Sequence, residues 1–166
     1  MADVNKSNLN TATGILPKDA FIVLVKTEWN AAIADELERG CINKLKGSGI
    51  KKITTVTVPG AIEIPFAIKT YWDYSKGKKK RRPDAFIALG CVIRGGTPHF
   101  DYVCKAVTEG VTQLNLMLPL PTIFGVLTVD NEEQAKERIG GAHGHKGEEA
   151  GITALKMISL VRSLNK

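Results

Sequence analysis

The sequence has 166 residues, enough for one compact domain and too few for two independent cores. Hydrophobic residues make up 43% and charged residues 24%, a globular balance that excludes disordered and collagen-like chains. The net charge of +6 is local, because six of the 23 basic residues lie between positions 76 and 82 and the other 17 balance the 17 acidic residues. We therefore interpret this run as a solvated loop and expect no nucleic-acid partner.

Apolar runs and helical patterns alternate along the chain. Short, partly β-branched runs predict buried parallel strands at residues 20–26, 53–58, 85–89 and 122–129. Helical spacing predicts helices at residues 30–46, 61–75, 100–117, 131–139 and 148–164. This order predicts an α/β three-layer sandwich, a four-stranded parallel sheet with helices on both faces. Residues 1–18 have little to pack and are predicted to be an N-terminal arm on a single domain at 19–166.

Ligands of such sheets bind beyond the carboxyl ends of the strands, so the segments after the four strands are the candidate site. Trp29 follows the first strand, where it either stacks on a flat heterocycle or begins the helix and packs on the core. No Gly-rich phosphate loop occurs there, which argues against a dinucleotide or FMN fold. After the second strand, Pro59 and Gly60 predict a turn, and Glu63 either bonds ligand hydroxyls or is a helix N-terminal acid.

The segment after the third strand, residues 90–100, carries the most chemistry. Gly95 and Gly96 allow a ligand to approach the backbone, and a helix is predicted to begin just beyond Thr97. A helix N-terminus with unpaired amides is an anion site. His99 at that point can shuttle protons near neutral pH. Cys91 is interpreted as a small buried residue rather than a nucleophile.

The segment after the fourth strand is rich in glycine and basic residues. Arg138 could grip a phosphate with its guanidinium fork, or be a solvated arginine. His143 and His145 have no carboxylate or thiolate beside them in sequence, so no metal site is predicted. Lys146 lies in a Gly-bounded loop and could reach a ligand or a neighbouring chain.

The cysteines and the N-terminus bear on the cellular compartment. Three cysteines without C-x-x-C spacing predict neither a disulfide framework nor a zinc site, and we expect them to be reduced and mostly buried. No apolar run approaches the roughly 18 residues that span a bilayer, so no membrane partner is expected. Residues 1–9 carry no signal-peptide core, which favours a cytoplasmic location.

Taken together, these segments resemble the lumazine synthase family. The resemblance spans residues 20–164, nearly the whole chain, with its motifs in the family's order. The matching segments are residues 29–30, 59–65, 90–103, 124–128, 133–138 and 146–147. The resemblance implies a flavodoxin-like fold, in agreement with the alternation of strands and helices.

The resemblance also implies an activity. Members of the family condense 5-amino-6-(D-ribitylamino)uracil with 3,4-dihydroxy-2-butanone 4-phosphate. The products are 6,7-dimethyl-8-ribityllumazine, phosphate and water, in the penultimate step of riboflavin biosynthesis. Neither a metal nor an organic cofactor is expected.

Site roles follow from the resemblance position by position. Trp29, where the family often has Phe, would stack on the pyrimidine, and His99 would shuttle protons. The remaining contacts to the pyrimidine and its ribityl chain would come from Asn30, Glu63 and the backbone of Ala61, Ile62, Cys91, Val92 and Ile93. The phosphate would be held by Gly96, Thr97 and Arg138. Phe124 and Lys146 would enter the site of an adjacent subunit.

Assembly is implied as well, because family members form homo-pentamers with sites between subunits, and some close into icosahedral shells. Riboflavin synthase is a possible further partner. The apolar arc of residues 148–164 is wider than one packing face requires, as expected of a helix buried in a ring.

Two alternatives to catalysis remain at this point. One is a non-catalytic carrier of riboflavin or a lumazine, which stacking on Trp29 would favour. The other is a polyanion-binding protein that acts through residues 76–82.

Overall fold

The computed structural model describes residues 17–76 and 81–165. Four parallel strands form one sheet in the order β2-β1-β3-β4. The strands are β1 (Phe21–Thr27), β2 (Lys52–Val58), β3 (Ala85–Ile93) and β4 (Thr122–Val129). The helices are α1 (Ala31–Gly47), α2 (Ile64–Lys76), α3 (His99–Met117), α4 (Glu132–Lys136) and α5 (Lys146–Leu164). The predicted α/β sandwich is confirmed.

The sheet has a core on each face because side chains alternate along a strand. Ile22 and Leu24 of β1 belong to a cluster with α1 and α5, whereas Val23 and Val25 belong to a cluster with α2 and α3. All four side chains are fully buried. Covering both faces leaves the carboxyl ends of the strands as the open edge, where most of the predicted site residues lie.

The largest differences from the predicted boundaries are in three places. Strand β3 continues to Ile93, four residues further than predicted, and pairs with β4 over its whole end. A 3-10 turn at Ala61–Glu63 precedes α2. The predicted helix at 131–139 ends at Lys136, and a short hairpin of β5 (Ile139–Gly141) and β6 (Gly144–His145) follows it. We call residues 139–145 the glycine hairpin.

The described residues also bear on three sequence predictions, which concern membrane spans, the cysteines and the N-terminal arm. No helix within residues 17–76 and 81–165 is long and apolar enough to cross a membrane. None of the three cysteines forms a disulfide; Cys41 and Cys91 are buried and Cys104 is partly exposed. Burial raises the pKa of Cys41 to about 12, so this thiol stays protonated. Most of the predicted N-terminal arm, residues 1–16, lies outside the described residues.

The basic run falls between α2 and β3, and its middle, residues 77–80, lies outside the described residues. Arg81 pairs with Asp19 at 3.2 Å and with Asp84 at 3.3 Å, and the guanidinium of Arg82 lies 5.3 Å from the ring centroid of Trp72. These residues precede β3, so they lie at the amino edge of the sheet, opposite the carboxyl edge.

Replacing Lys78, Lys79 and Lys80 with serine is therefore expected to leave kcat unchanged. Steady-state kinetics of the variant and the unmodified chain measure this directly. A large loss of turnover, or a steep salt dependence of RNA binding that vanishes in the variant, would contradict the interpretation of the run as a solvated loop.

Candidate active site

A groove of about 580 Å³ lies at the carboxyl edge of the sheet. Its walls are the segments that follow β1, β2 and β3, together with the first turns of α3. The lining residues that the sequence singled out are Trp29, Asn30, Ala61, Ile62, Glu63, Cys91, Val92, Ile93, Thr97 and His99. Segments far apart in sequence therefore meet in one place, as the parallel topology requires.

The first wall is the turn between β1 and α1. Asn30 has a left-handed backbone (φ 55°, ψ 46°), a conformation that asparagine tolerates better than most residues. Its amide Nδ2 donates to the carbonyl of Cys91 at 2.8 Å, which ties this turn to the end of β3. Trp29 is 73% exposed, so its indole does not pack in the core of its own chain. The turn presents a large flat aromatic surface beside the groove.

The second wall follows β2 and is hydrogen-bonded to the first. The amide of Glu28 donates to the carbonyl of Val58 at 2.8 Å, and that of Trp29 donates to Pro59 at 3.2 Å. The 3-10 turn then places Glu63 in the groove lining with its carboxylate exposed. A Cβ on Gly60 would lie 3.0 Å from Oε2 of Glu63, so glycine gives this carboxylate room. An exposed carboxylate beside an apolar surface can accept hydrogen bonds from ligand hydroxyls.

The third wall is the end of β3. Cys91 is buried, and burial raises the pKa of its thiol to about 11. A protonated buried thiol is a poor nucleophile, so its contribution to the groove is its backbone. Val92 and Ile93 are half-buried and continue the wall. Gly90 admits Thr27 into the corner between β1 and β3, since an added Cβ would lie 2.8 Å from the Thr27 Cγ2.

The fourth wall is the loop that leads into α3. Neither Gly95 nor Gly96 has a positive φ, and a Cβ added to either would meet no atom within 4 Å, so the loop is open to an approaching ligand. Helix α3 begins at His99, whose side chain is exposed at the groove. The amides of His99 and Phe100 open this 19-residue helix at its positive end, whereas the amide of Asp101 already donates to the carbonyl of Pro98 at 3.0 Å. The loop and helix together are suited to an anion.

Arg94 braces this loop, a role that sequence reasoning missed. Its guanidinium lies 4.1 Å from the ring centroid of Phe100 and pairs with Asp130 at 3.0 Å and with Asp101 at 3.2 Å. These contacts join the ends of β3 and β4 to the first turn of α3. Asp130 directly follows the predicted fourth strand and Asp101 lies in a predicted helix, and neither spacing predicts a pair with Arg94.

Other predicted residues lie outside the groove of their own chain. Phe124 is on the edge strand β4 and is 41% exposed. Arg138 Nη1 donates to the carbonyl of Gln134 at 2.8 Å, and Lys146 Nζ donates to Glu149 at 2.8 Å. Gly96 is not among the lining residues, although Gly95 and Thr97 on either side of it are.

The two histidines of the glycine hairpin face different carboxylates. His143 Nε2 lies 3.3 Å from Glu137, whereas His145 Nε2 lies 3.3 Å from Glu36 of α1. Within the described residues, no three histidine, cysteine, aspartate or glutamate side chains are grouped as a metal site requires.

Replacing Trp29 with alanine is expected to weaken binding of a flat pyrimidine by about tenfold, because aromatic stacking on a base contributes about 1–3 kcal/mol. Trp29→Phe keeps an aromatic plate and is the matched control. Isothermal titration with the pyrimidine measures both variants. Unaltered affinity in Trp29→Ala would remove the indole from the binding surface.

An aromatic plate, a carboxylate and a helix N-terminus with a histidine meet in one groove at the edge of a parallel sheet. Such a groove can accommodate a flat ring beside an anion, and the four-stranded parallel sheet with helices on both faces is an α/β sandwich. Residues 19–162 match the profile of the family described as 6,7-dimethyl-8-ribityllumazine synthase. The chain belongs to this family.

Individual relatives agree with the family profile. The chain is 47% identical to the 6,7-dimethyl-8-ribityllumazine synthase of Bacteroides fragilis over 145 residues, which cover 86% of this chain and 97% of the relative. It is 46% identical to the same enzyme of Parabacteroides distasonis over 140 residues, covering 83% and 84% of the two chains. The Porphyromonas gingivalis enzyme is 46% identical over 147 residues, with coverages of 87% and 88%.

Proposed function

We propose that this chain forms 6,7-dimethyl-8-ribityllumazine from 5-amino-6-(D-ribitylamino)uracil and 3,4-dihydroxy-2-butanone 4-phosphate in the groove at the carboxyl edge of its sheet. The observation that carries the proposal is the joining of Trp29 and His99 in one groove with an open glycine loop between β3 and α3. This arrangement offers a plate for the uracil and an anion site for the phosphate. Membership of the family gives the reaction that the aromatic plate and the anion site would serve.

The pyrimidine and its ribityl chain occupy the side of the groove formed by β1, β2 and β3. Trp29 stacks on the ring, and Glu63 accepts hydrogen bonds from ribityl hydroxyls. Asn30 holds the turn through its bond to the Cys91 carbonyl and lies within reach of the ring. Backbone groups of Ala61, Ile62, Cys91, Val92 and Ile93 complete the contacts along the lining.

The phosphorylated ketone occupies the side formed by the α3 loop. Gly96 and Thr97 offer backbone amides and a hydroxyl to the phosphate at the positive end of α3. The amine of the pyrimidine attacks the ketone, and water leaves to give an imine. Phosphate is then eliminated to give an enol, which tautomerises to a second ketone. The ribitylamino nitrogen attacks this ketone, and a second water leaves as the ring closes. Each step moves a proton, which His99 donates or accepts at the N-terminus of α3. Holding two reactants in contact supplies about 7–11 kcal/mol in well-oriented systems.

A second copy of the chain completes the site in this proposal. Phe124, Arg138 and Lys146 lie outside their own groove and reach that of the adjacent subunit, where Arg138 clamps the phosphate. Exposed apolar side chains support association: Met157, Leu160 and Leu164 line up at i, i+3 and i+7 on α5, with exposures of 37%, 49% and 77%. We assign the assembly as a homo-pentamer in the cytoplasm, able to build an icosahedral shell and to associate with riboflavin synthase.

Mixing the purified chain with both substrates tests the proposal. Formation of the fluorescent lumazine, with one phosphate released per product, is the expected result. The matched control omits the phosphorylated ketone, which leaves the pyrimidine unchanged. A yellow protein that binds riboflavin and releases no phosphate would overturn catalysis in favour of a carrier.

A further inference from the structure

His145 lies in a slot on helix α1 that exists because residue 40 is glycine. Its side chain is 11% exposed. A Cβ on Gly40 would overlap the imidazole, with Nδ1 only 2.6 Å away. Gly40 lies inside a 17-residue helix, where glycine costs about 1 kcal/mol relative to alanine. The glycine therefore weakens α1 locally and makes room for the histidine.

The ring makes one polar contact in the slot. Nε2 lies 3.3 Å from Oε1 of Glu36, one turn before Gly40 on α1. Nδ1 is buried and has no hydrogen-bond partner among the described residues. This arrangement favours the tautomer in which Nε2 carries the proton and donates to Glu36, because a buried N–H without an acceptor costs more than a buried acceptor without a donor. Arg39 also holds the Glu36 carboxylate through two hydrogen bonds, which keeps it in place for His145.

The slot anchors the glycine hairpin to the body of the domain. His145 is the last residue of β6 and pairs with Ile139 of β5. The next residue, Lys146, donates its backbone amide to the carbonyl of Arg138 at 2.8 Å. Arg138 and Lys146 therefore stand side by side where the hairpin opens, directly beside the anchored histidine.

The backbone of the glycine hairpin requires glycine at two positions, and it does not by itself hold the hairpin against α1. Gly140 and Gly144 have positive φ values of 119° and 76°, and the side chains of the turn are half or fully exposed. Immediately after the hairpin, a Cβ on Gly147 would overlap the carbonyl of Leu37, so α5 starts in direct contact with α1. Two hairpin side chains reach the body of the domain: Ile139 packs against the core cluster of α1 and α5, and His145 enters the slot at Gly40.

We propose that His145, seated against Gly40 and bonded to Glu36, is a positioning residue that sets the place of Arg138 and Lys146 for binding the phosphorylated substrate. The inference rests on the proposed function, which brings both cations to the groove of the adjacent subunit and gives Arg138 its role at the phosphate. His145 does not touch the substrate. It acts through the hairpin, and its loss changes where the two cations point rather than the chemistry at His99.

Gly40→Ala tests the slot, with Gly47→Ala as the matched control, because a Cβ on Gly47 of the same helix meets nothing within 4 Å. We expect Gly40→Ala and His145→Ala each to raise KM for the phosphorylated ketone by about tenfold, since small displacements of positioning groups cost this much or more. The kcat and KM for the pyrimidine should stay near those of Gly47→Ala. The double variant should be no worse than His145→Ala alone, because both substitutions remove one interaction.

A second measurement is independent of activity. Amide hydrogen exchange at Lys146 should speed up in His145→Ala, because its bond to the Arg138 carbonyl loses its anchor. Unchanged exchange, a KM for Gly40→Ala equal to that of Gly47→Ala, or additive effects in the double variant would overturn the proposal. Arg138→Ala distinguishes a failure of the proposed phosphate role of Arg138 from a failure of the positioning role of His145. If it leaves the KM for the phosphorylated ketone unaltered, the proposed phosphate role fails; if it raises that KM while Gly40→Ala does not, only the role of His145 fails.

Discussion

His99→Ala is expected to lower kcat by about a hundredfold, the low end of what a positioned acid–base group contributes. His99 is the first residue of α3 and lines the groove beside the glycine loop, where each step of the condensation moves a proton. Both KM values should change little, because the imidazole is proposed to move protons rather than to hold either substrate. Stopped-flow measurement of lumazine formation under saturating substrates gives the comparison.

The control for His99→Ala is Gln113→Ala, which changes an exposed side chain on the same helix away from the groove. Added imidazole should restore part of the lost rate in His99→Ala and leave Gln113→Ala unchanged. A wild-type kcat without imidazole would end the assignment of His99, and a raised KM with normal kcat would make it a binding residue instead.

Arg138→Ala is expected to raise KM for the phosphorylated ketone by about 10- to 150-fold, because a hydrogen bond to a charged group contributes about 1.5–3 kcal/mol. Its side chain is 17% exposed and held by the Gln134 carbonyl, so the guanidinium is already ordered before substrate binds. Inorganic phosphate should inhibit the variant more weakly by the same factor. Arg138→Lys should recover only part of the affinity, since it keeps the charge and loses the fork.

Arg162→Ala is the matched arginine control. Arg162 pairs with Asp19 at 2.7 Å and with Asp84 at 3.1 Å, next to the start of β1 and β3 at the amino edge of the sheet. Its removal should leave the KM for the phosphorylated ketone near that of the unmodified chain. Equal KM values for Arg138→Ala and Arg162→Ala would take Arg138 out of the anion site.

The sheet was predictable because its strands are buried on both faces and appear in the sequence as unbroken apolar runs. The predicted strand at 122–129 coincides with β4, and the run at 20–26 is shifted by one residue from β1. The end of β3 was missed because Gly90 and Cys91 resemble a strand end. Glycine is needed there to admit Thr27, and the strand continues.

The groove was predictable from topology, whereas the contacts between distant segments were not. Trp29, Glu63 and His99 follow three different strands, and parallel pairing brings those ends together. The place of His145 depends on Gly40, more than 100 residues earlier in the chain. A single glycine in a helical segment does not indicate which residue packs against it. The glycine hairpin was missed because its residues show neither alternation nor helical spacing.

The separation of Arg138 from the groove of its own chain has a genetic consequence. In the proposed assembly, the histidine of each reaction centre comes from one copy and the arginine from another. A chain that carries His99→Ala still supplies its arginine, and a chain that carries Arg138→Ala still supplies its histidine. Two defective alleles expressed together would complement one another. Some interfaces between a subunit of each kind would contain both an intact His99 and an intact Arg138.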